Sequence, residues 1–247
     1  MRHFIRFAFC VSILSACASS LRADDWPEIQ GRGRSNVWTD AGILDRFPPG
    51  GLTVCWRMPI RGGYAGPAVA RGRVLVSDYE NTSTGEVERV LCLDEQSGQV
   101  LWTFENRDVK YRGLSYGYGP RATPTVDGDL VFALGAVGDL YCLDVTSGKL
   151  LWRVNYQSDL QAKLPTWGFA AAPVVYGKQL ICLVGAGSNA TVVALDKVTG
   201  QETWRSVSSK GGPGYPRTTV PGWMYNTPVW VELSLLPTVV APCKMYV

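Results

Sequence analysis

The chain has 247 residues, 46% hydrophobic and 18% charged, with 24 Lys and Arg against 21 Asp and Glu. Three of the arginines (Arg2, Arg6, Arg22) and the one histidine, His3, fall within the first 23 residues, and setting those arginines aside leaves 21 basic residues against 21 acidic. Beyond residue 23 there is no basic excess for nucleic acid or an anionic membrane, and no histidine for a Ser-His or Cys-His pair, a His-ligated metal or a C-x-x-C-H haem site.

Residues 1–6 hold two arginines and no acid, and residues 7–16 form an apolar run. That run is too short to span a bilayer, which needs about 20 residues. With Leu21-Arg22-Ala23 before Asp24, residues 1–23 read as a secretory signal peptide cut after Ala23. The alternative is a lipoprotein signal: Leu14-Ser15-Ala16-Cys17 would leave Cys17 lipidated, the one expected membrane contact. Either way the expected location is the periplasm or cell envelope. Residues 24–52 form an N-terminal segment ahead of the repeats. The seven cysteines (Cys10, Cys17, Cys55, Cys92, Cys142, Cys182, Cys243) show no C-x-x-C spacing. An exported protein can form disulfides. Most of these cysteines sit in apolar runs, however, where a free thiol acts as a small hydrophobe, so no disulfide framework is expected.

Residues 53–233 are organised by a repeat. Three segments align without gaps: Asp94-x-x-Ser97-Gly98-x-x-x-Trp102, Asp144-x-x-Ser147-Gly148-x-x-x-Trp152 and Asp196-x-x-Thr199-Gly200-x-x-x-Trp204. Their aspartates are 50 and 52 residues apart. A small residue and a proline precede each unit, at Pro67, Pro124, Pro173 and Pro228, and a Gly turn follows the first three at Gly72, Gly128 and Gly177. In the second unit this gives four strands, over residues 124–126, 130–134, 140–143 and 149–154. Asp127-Gly128 is a two-residue hairpin signal. Four strands at this period make a propeller blade. The expected fold is therefore all-β, a β-propeller of four-stranded blades forming an incomplete ring of about three to four. Residues 54–58 read as an outer strand closing the ring from the N-terminal side.

The motif has a physical logic. An Asp two and three residues before free backbone N–H groups can fix a turn, and the Trp can cover apolar area between blades. Asp94, Gly98, Trp102, Asp144, Gly148, Trp152, Asp196, Thr199, Gly200 and Trp204 are therefore read as architecture. The pattern Ala-x-Asp-x-x-Thr-Gly-x-x-x-Trp resembles the repeat signature of PQQ-type (pyrroloquinoline quinone) propellers. Ala194, Asp196, Thr199, Gly200 and Trp204 match it fully, while the earlier copies place Cys92 and Cys142 at the Ala position and Ser97 and Ser147 at the Thr position. The resemblance spans residues 53–231.

That resemblance implies one of two functions, since fold does not imply function. Quinoprotein dehydrogenases oxidise alcohols or sugars with PQQ and calcium. The BamB-like branch binds proteins as a scaffold. The dehydrogenase branch uses a vicinal Cys pair, or histidine, or a Glu/Asn/Asp calcium set; no cysteines are adjacent here, and no residue matches those roles. The expectation is a non-catalytic binding or scaffold protein with no cofactor and no metal. PQQ and calcium belong only to the alternative, a dehydrogenase fragment. A small-molecule or polysaccharide-binding module is the third reading.

Two Gly/Tyr/Arg loops precede inner strands, at residues 111–121 and 210–217. Their bland reading is inter-blade connection; their functional reading is a binding rim of Tyr116, Tyr118, Arg121, Trp167, Tyr215 and Arg217, because Tyr and Arg concentrate at interaction hot spots. Gly185 to Ala190 mimics a dinucleotide fingerprint but runs into a β pattern, so it reads as a hairpin turn. A fourth unit starts at Thr227-Pro228 and then loses the pattern. Residues 234–247 read as an atypical tail, frameshifted or truncated. An open ring exposes sheet edges, so a protein partner or self-association is expected, with no nucleic acid.

Overall fold

Asp94, Asp144 and Asp196 each close a turn in the computed structural model, which describes residues 24–40, 44–115, 117–185, 192–206 and 238–242, the last five and Ser206 through their backbone alone. Asp94 Oδ1 accepts the Ser97 hydroxyl at 2.7 Å, the Ser97 N–H at 2.8 Å and the Gln96 N–H at 3.1 Å. Asp144 does the same with Ser147 and Thr146, and Asp196 with Thr199 and Val198. These bonds hold all three carboxyls below the ordinary carboxylate range.

Each turn joins the outer two strands of a four-stranded antiparallel meander. The first blade is β2 (Ala68–Ala70), β3 (Arg73–Thr82), β4 (Gly85–Asp94) and β5 (Val100–Asn106). The second is β6 (Thr125–Asp127), β7 (Leu130–Leu134), β8 (Asp139–Asp144) and β9 (Leu150–Asn155). The third is β10 (Val174–Tyr176), β11 (Gln179–Leu183), β12 (Val192–Asp196) and β13 (Glu202–Ser206). Ahead of them β1 (Val54–Pro59) pairs antiparallel with β14 (Thr238–Pro242), a strand inside the stretch that reads as an atypical tail.

A bulge falls at the same place in every blade, between Cys92 and Leu93, Cys142 and Leu143, and Ala194 and Leu195. Just before it, Cys92 faces Trp102, Cys142 faces Trp152 and Ala194 faces Trp204 across the ladder. A large indole on one strand requires a small, buried neighbour opposite, which accounts for the Cys/Ala position of the repeat.

The indoles do not stay within their own blades. Trp56 Nε1 donates to the Glu95 carbonyl at 2.9 Å, Trp102 Nε1 to the Val145 carbonyl at 3.0 Å and Trp152 Nε1 to the Lys197 carbonyl at 3.1 Å. Each therefore reaches the Asp turn of the next blade. There it lies on the turn glycine: a β-carbon on Gly98, Gly148 or Gly200 would sit 2.5 to 2.7 Å from the indole. These glycines also have φ of 70–73°, so both backbone and contact demand glycine.

The core lies between blades. Leu75, Val90 and Cys92 of the first pack with Val131, Tyr141 and Leu143 of the second, and Phe132, Leu140 and Cys142 of the second with Leu180, Cys182 and Val193 of the third. Cys92, Cys142 and Cys182 are free and buried. Cys55, on β1, is instead disulfide-bonded. The N-terminal segment ties the inner strands together. Trp26 bridges to Val69, the Val126 N–H donates to the Pro27 carbonyl at 2.8 Å, and buried Arg34 donates to the Ala172 and Pro173 carbonyls at 3.1 and 2.7 Å. Glu28 Oε2 accepts from Arg34 Nε at 2.9 Å, so the buried guanidinium is paired as well as hydrogen-bonded.

The signal segment 1–23 with Cys10 and Cys17, most of the Gly185–Ala190 turn, the fourth unit from Thr227 and Cys243 lie outside the described residues. Among the described residues no helix is long and apolar enough to cross a membrane.

Candidate functional site

The first blade differs from the others in one respect: β3 and β4 have ten residues each, against five or six in β7, β8, β11 and β12. The extra length carries Asp78 and Glu88 past the end of the neighbouring hairpin, beside the connection from β5 to β6. That connection supplies Tyr111, whose hydroxyl donates to Glu88 Oε2. From the second blade, Gly135 packs against the Glu88 carboxylate so closely that a β-carbon there has no room.

Three acids meet in this buried layer and differ in their partners. Asp78 is fully buried; it takes a bidentate pair from Arg89 at 2.8 and 2.6 Å and the Arg61 N–H at 2.8 Å. Asp139 takes Arg153 Nη2 and Asn155 Nδ2, both at 2.8 Å. Glu88 takes its hydrogen bond from a phenol rather than an arginine. Burial, reinforced by the charges of Asp139 and Asp78 against the opposing Tyr111 hydrogen bond, pushes its carboxyl up to about 8. Glu88 therefore holds its proton at neutral pH.

An aromatic array rises from this layer to the surface. Tyr79 and Tyr111 lie with ring centres 4.3 Å apart, and half-exposed Tyr118 meets them edge-on at 6.0 and 5.7 Å. Arg121 stands over the Tyr64 ring at 5.2 Å and donates to the Gly119 and Gly117 carbonyls. The Tyr64 N–H donates to the Pro120 carbonyl at 2.8 Å, fixing one loop on the other. The loop bearing Trp167 abuts through a Ser115 N–H to Thr166 carbonyl bond of 2.9 Å, and Trp167 is 62% exposed.

Of the rim residues read from sequence, the structure joins Tyr118 and Arg121 with Tyr64 and places Trp167 on the adjoining connection. Tyr116, Tyr215 and Arg217 lie outside the described residues. Tyr64, Tyr111 and Glu88 were not picked out from sequence. A charged pair, Glu88-Arg89, inside the apolar alternation of β4 was the one available signal. Among the described residues no group of three or more His, Cys, Asp or Glu could hold a metal ion. Asp78 and Asp139 are each committed to an arginine. A separate hollow of about 150 Å³, lined by Asp25, Trp26, Arg32 and Trp38 among others, lies in the N-terminal segment. It is small against ligand pockets of roughly 300 Å³ and more.

The family described as outer membrane protein assembly factor BamB matches residues 86–221. The quinohemoprotein alcohol dehydrogenase of Comamonas testosteroni is 27% identical over 219 residues, which cover 81% of this chain and 28% of that protein. A quinohemoprotein alcohol dehydrogenase of Pseudomonas putida is 28% identical over 178 residues, covering 68% of this chain and 23% of its own. The Comamonas testosteroni crystal structure superposes with a TM-score of 0.56 at 23% identity, over 78% of this chain and 28% of that one, a likeness of fold. The chain thus spans 23% to 28% of the length of these relatives.

Proposed function

The chain belongs to the PQQ-repeat propeller family described as outer membrane protein assembly factor BamB, and we propose that it is an exported, non-catalytic binding segment of the cell envelope that takes a protein partner on its Tyr64–Tyr118–Arg121 rim. One observation carries this reading. Half-exposed aromatics and a guanidinium are held on two loops hydrogen-bonded to each other, above acids that are already paired or protonated. Such a surface is preorganised for binding, since rigid Tyr and Arg contacts lose little entropy on association. Among the described residues, its acids are hydrogen-bonded to arginine or tyrosine side chains. Export rests on residues 1–23.

The test is capture from an envelope extract with the purified chain and with a Tyr64→Ser, Tyr118→Ser double variant. Both side chains are about half exposed, at 47% and 49%, so the variant keeps its fold. A protein bound by the parent and lost by the variant supports the rim; equal capture refutes it. The dehydrogenase relatives favour a second reading, a fragment of a quinoprotein oxidoreductase. Titration with PQQ and calcium separates the two: stoichiometric quinone absorbance with dye-linked alcohol oxidation establishes the second reading and overturns the first.

A further inference from the structure

Asp24 is held from two sides by residues 39 and 40. Its backbone N–H donates to Asp40 Oδ1 at 2.8 Å, and its carboxylate accepts the Thr39 hydroxyl. The other Asp40 oxygen accepts the Trp38 indole N–H, and the Trp38 ring stacks on Trp26 with centres 5.4 Å apart. Residues 24–40 therefore form a loop closed at its two ends. The ties of this loop to the blades lie between those ends. Trp26 bridges to Val69 of the first blade, the Pro27 carbonyl accepts from Val126 of the second, and Arg34 donates to the Ala172 and Pro173 carbonyls just before the third. The bond that closes the loop runs from a neutral N–H to a carboxylate, and it becomes a full ion pair as soon as the nitrogen carries a charge.

We infer that hydrolysis of the Ala23–Asp24 bond turns this hydrogen bond into an ion pair between the new α-ammonium and Asp40, and that the pair fastens residues 24–40 onto the three blades. The inference rests on the reading that residues 1–23 are an export signal cut after Ala23. A signal peptidase adds water across the bond: Ala23 leaves with a carboxylate, and the Asp24 nitrogen becomes an ammonium. That nitrogen already lies at a charge-assisted hydrogen-bond distance from its acceptor. The Trp38 indole fixes the Asp40 carboxylate from the other side, so the pair loses less side-chain entropy than two free surface groups would. Asp25 is engaged elsewhere, by Arg32 at 3.8 Å and the Arg71 N–H at 3.2 Å, which leaves Asp40 as the carboxylate presented to the new terminus. The uncut chain has only the neutral donor, so the tie reaches full strength once the leader is removed.

The experiment takes the chain exported from cells, as parent and as the near-isosteric Asp40→Asn, and reads the first residue by N-terminal sequencing and intact mass. The α-amine is then labelled with cyanate at neutral pH, and hydrogen exchange is followed at the Val69 and Val126 amides, which bond to Trp26 and Pro27. The expected first residue is Asp24. Labelling of the parent should be about threefold slower than labelling of Asp40→Asn, the size expected of one ordered surface ion pair. Both amides should exchange faster in Asp40→Asn. A first residue other than Asp24 overturns the inference together with the leader reading on which it rests. With Asp24 first, equal labelling of the two chains, or unchanged exchange in Asp40→Asn, overturns the inference alone.

Discussion

Glu88→Gln isolates the buried carboxyl with almost no change of shape. Glu88 is 4% exposed and holds its proton up to a pH of about 8, against 4.5 for the free side chain. Between those values the folded chain carries a proton that the unfolded chain has released, so stability falls as pH rises from about 4.5 to about 8 and is flat beyond. At about 1.4 kcal/mol per pH unit, a window of roughly 3.5 units is worth at most about 5 kcal/mol. Glutamine has no such dependence, and its amide oxygen can still accept from the Tyr111 hydroxyl. The assay is urea unfolding of both proteins at pH 5 and pH 8. Because other groups titrate alike in both, the comparison uses the difference between them. That difference should be small at pH 5 and favour the variant by several kcal/mol at pH 8. A difference that stays constant between pH 5 and pH 8 refutes the protonated, buried state of Glu88.

Other substitutions test the joints. Gly148→Ala should cost at least about 3 kcal/mol, combining left-handed strain with displacement of the Trp102 indole, while Gly128→Ala, with φ of 58° and open space around it, should cost only about 1. Thermal unfolding of the pair separates contact from strain. Trp102→Ala, which empties a filled joint, should cost about 3–5 kcal/mol, measured by the same melts. Arg34→Met should cost about 3 kcal/mol, because Glu28 and the Ala172 and Pro173 carbonyls lose a buried donor. Hydrogen exchange at the Val126 amide, which bonds to Pro27, should accelerate with it.

The candidate site was only partly legible. Tyr118 and Arg121 stood out because a long Gly/Tyr/Arg loop before an inner strand is unusual in composition. Tyr64 belongs to a different loop, and nothing in Arg61 to Gly66 announces that Arg121 will stack on its ring. The Glu88–Tyr111 bond joins groups 23 residues apart, and its character depends on Gly135 of the next blade closing over the carboxylate. Burial is a property of that packing, so a titration shifted by burial cannot be read from neighbours along the chain.

Sequence alone determined the blade: its four strands, its period and the chemistry of its turn. The reason is range, since every bond that Asp94, Asp144 or Asp196 makes through its side chain lies within three residues, and a spacing that short is written directly in the order of residues. Tertiary structure alone decided how blades join. The Trp-to-turn bonds span 39 to 45 residues, Arg34 reaches 138 residues ahead to Ala172, and β1 finds its partner at Thr238–Pro242. Those pairings exist because successive sheets stack face to face and bring distant turns under an indole or a guanidinium, a condition set by the packed blades together.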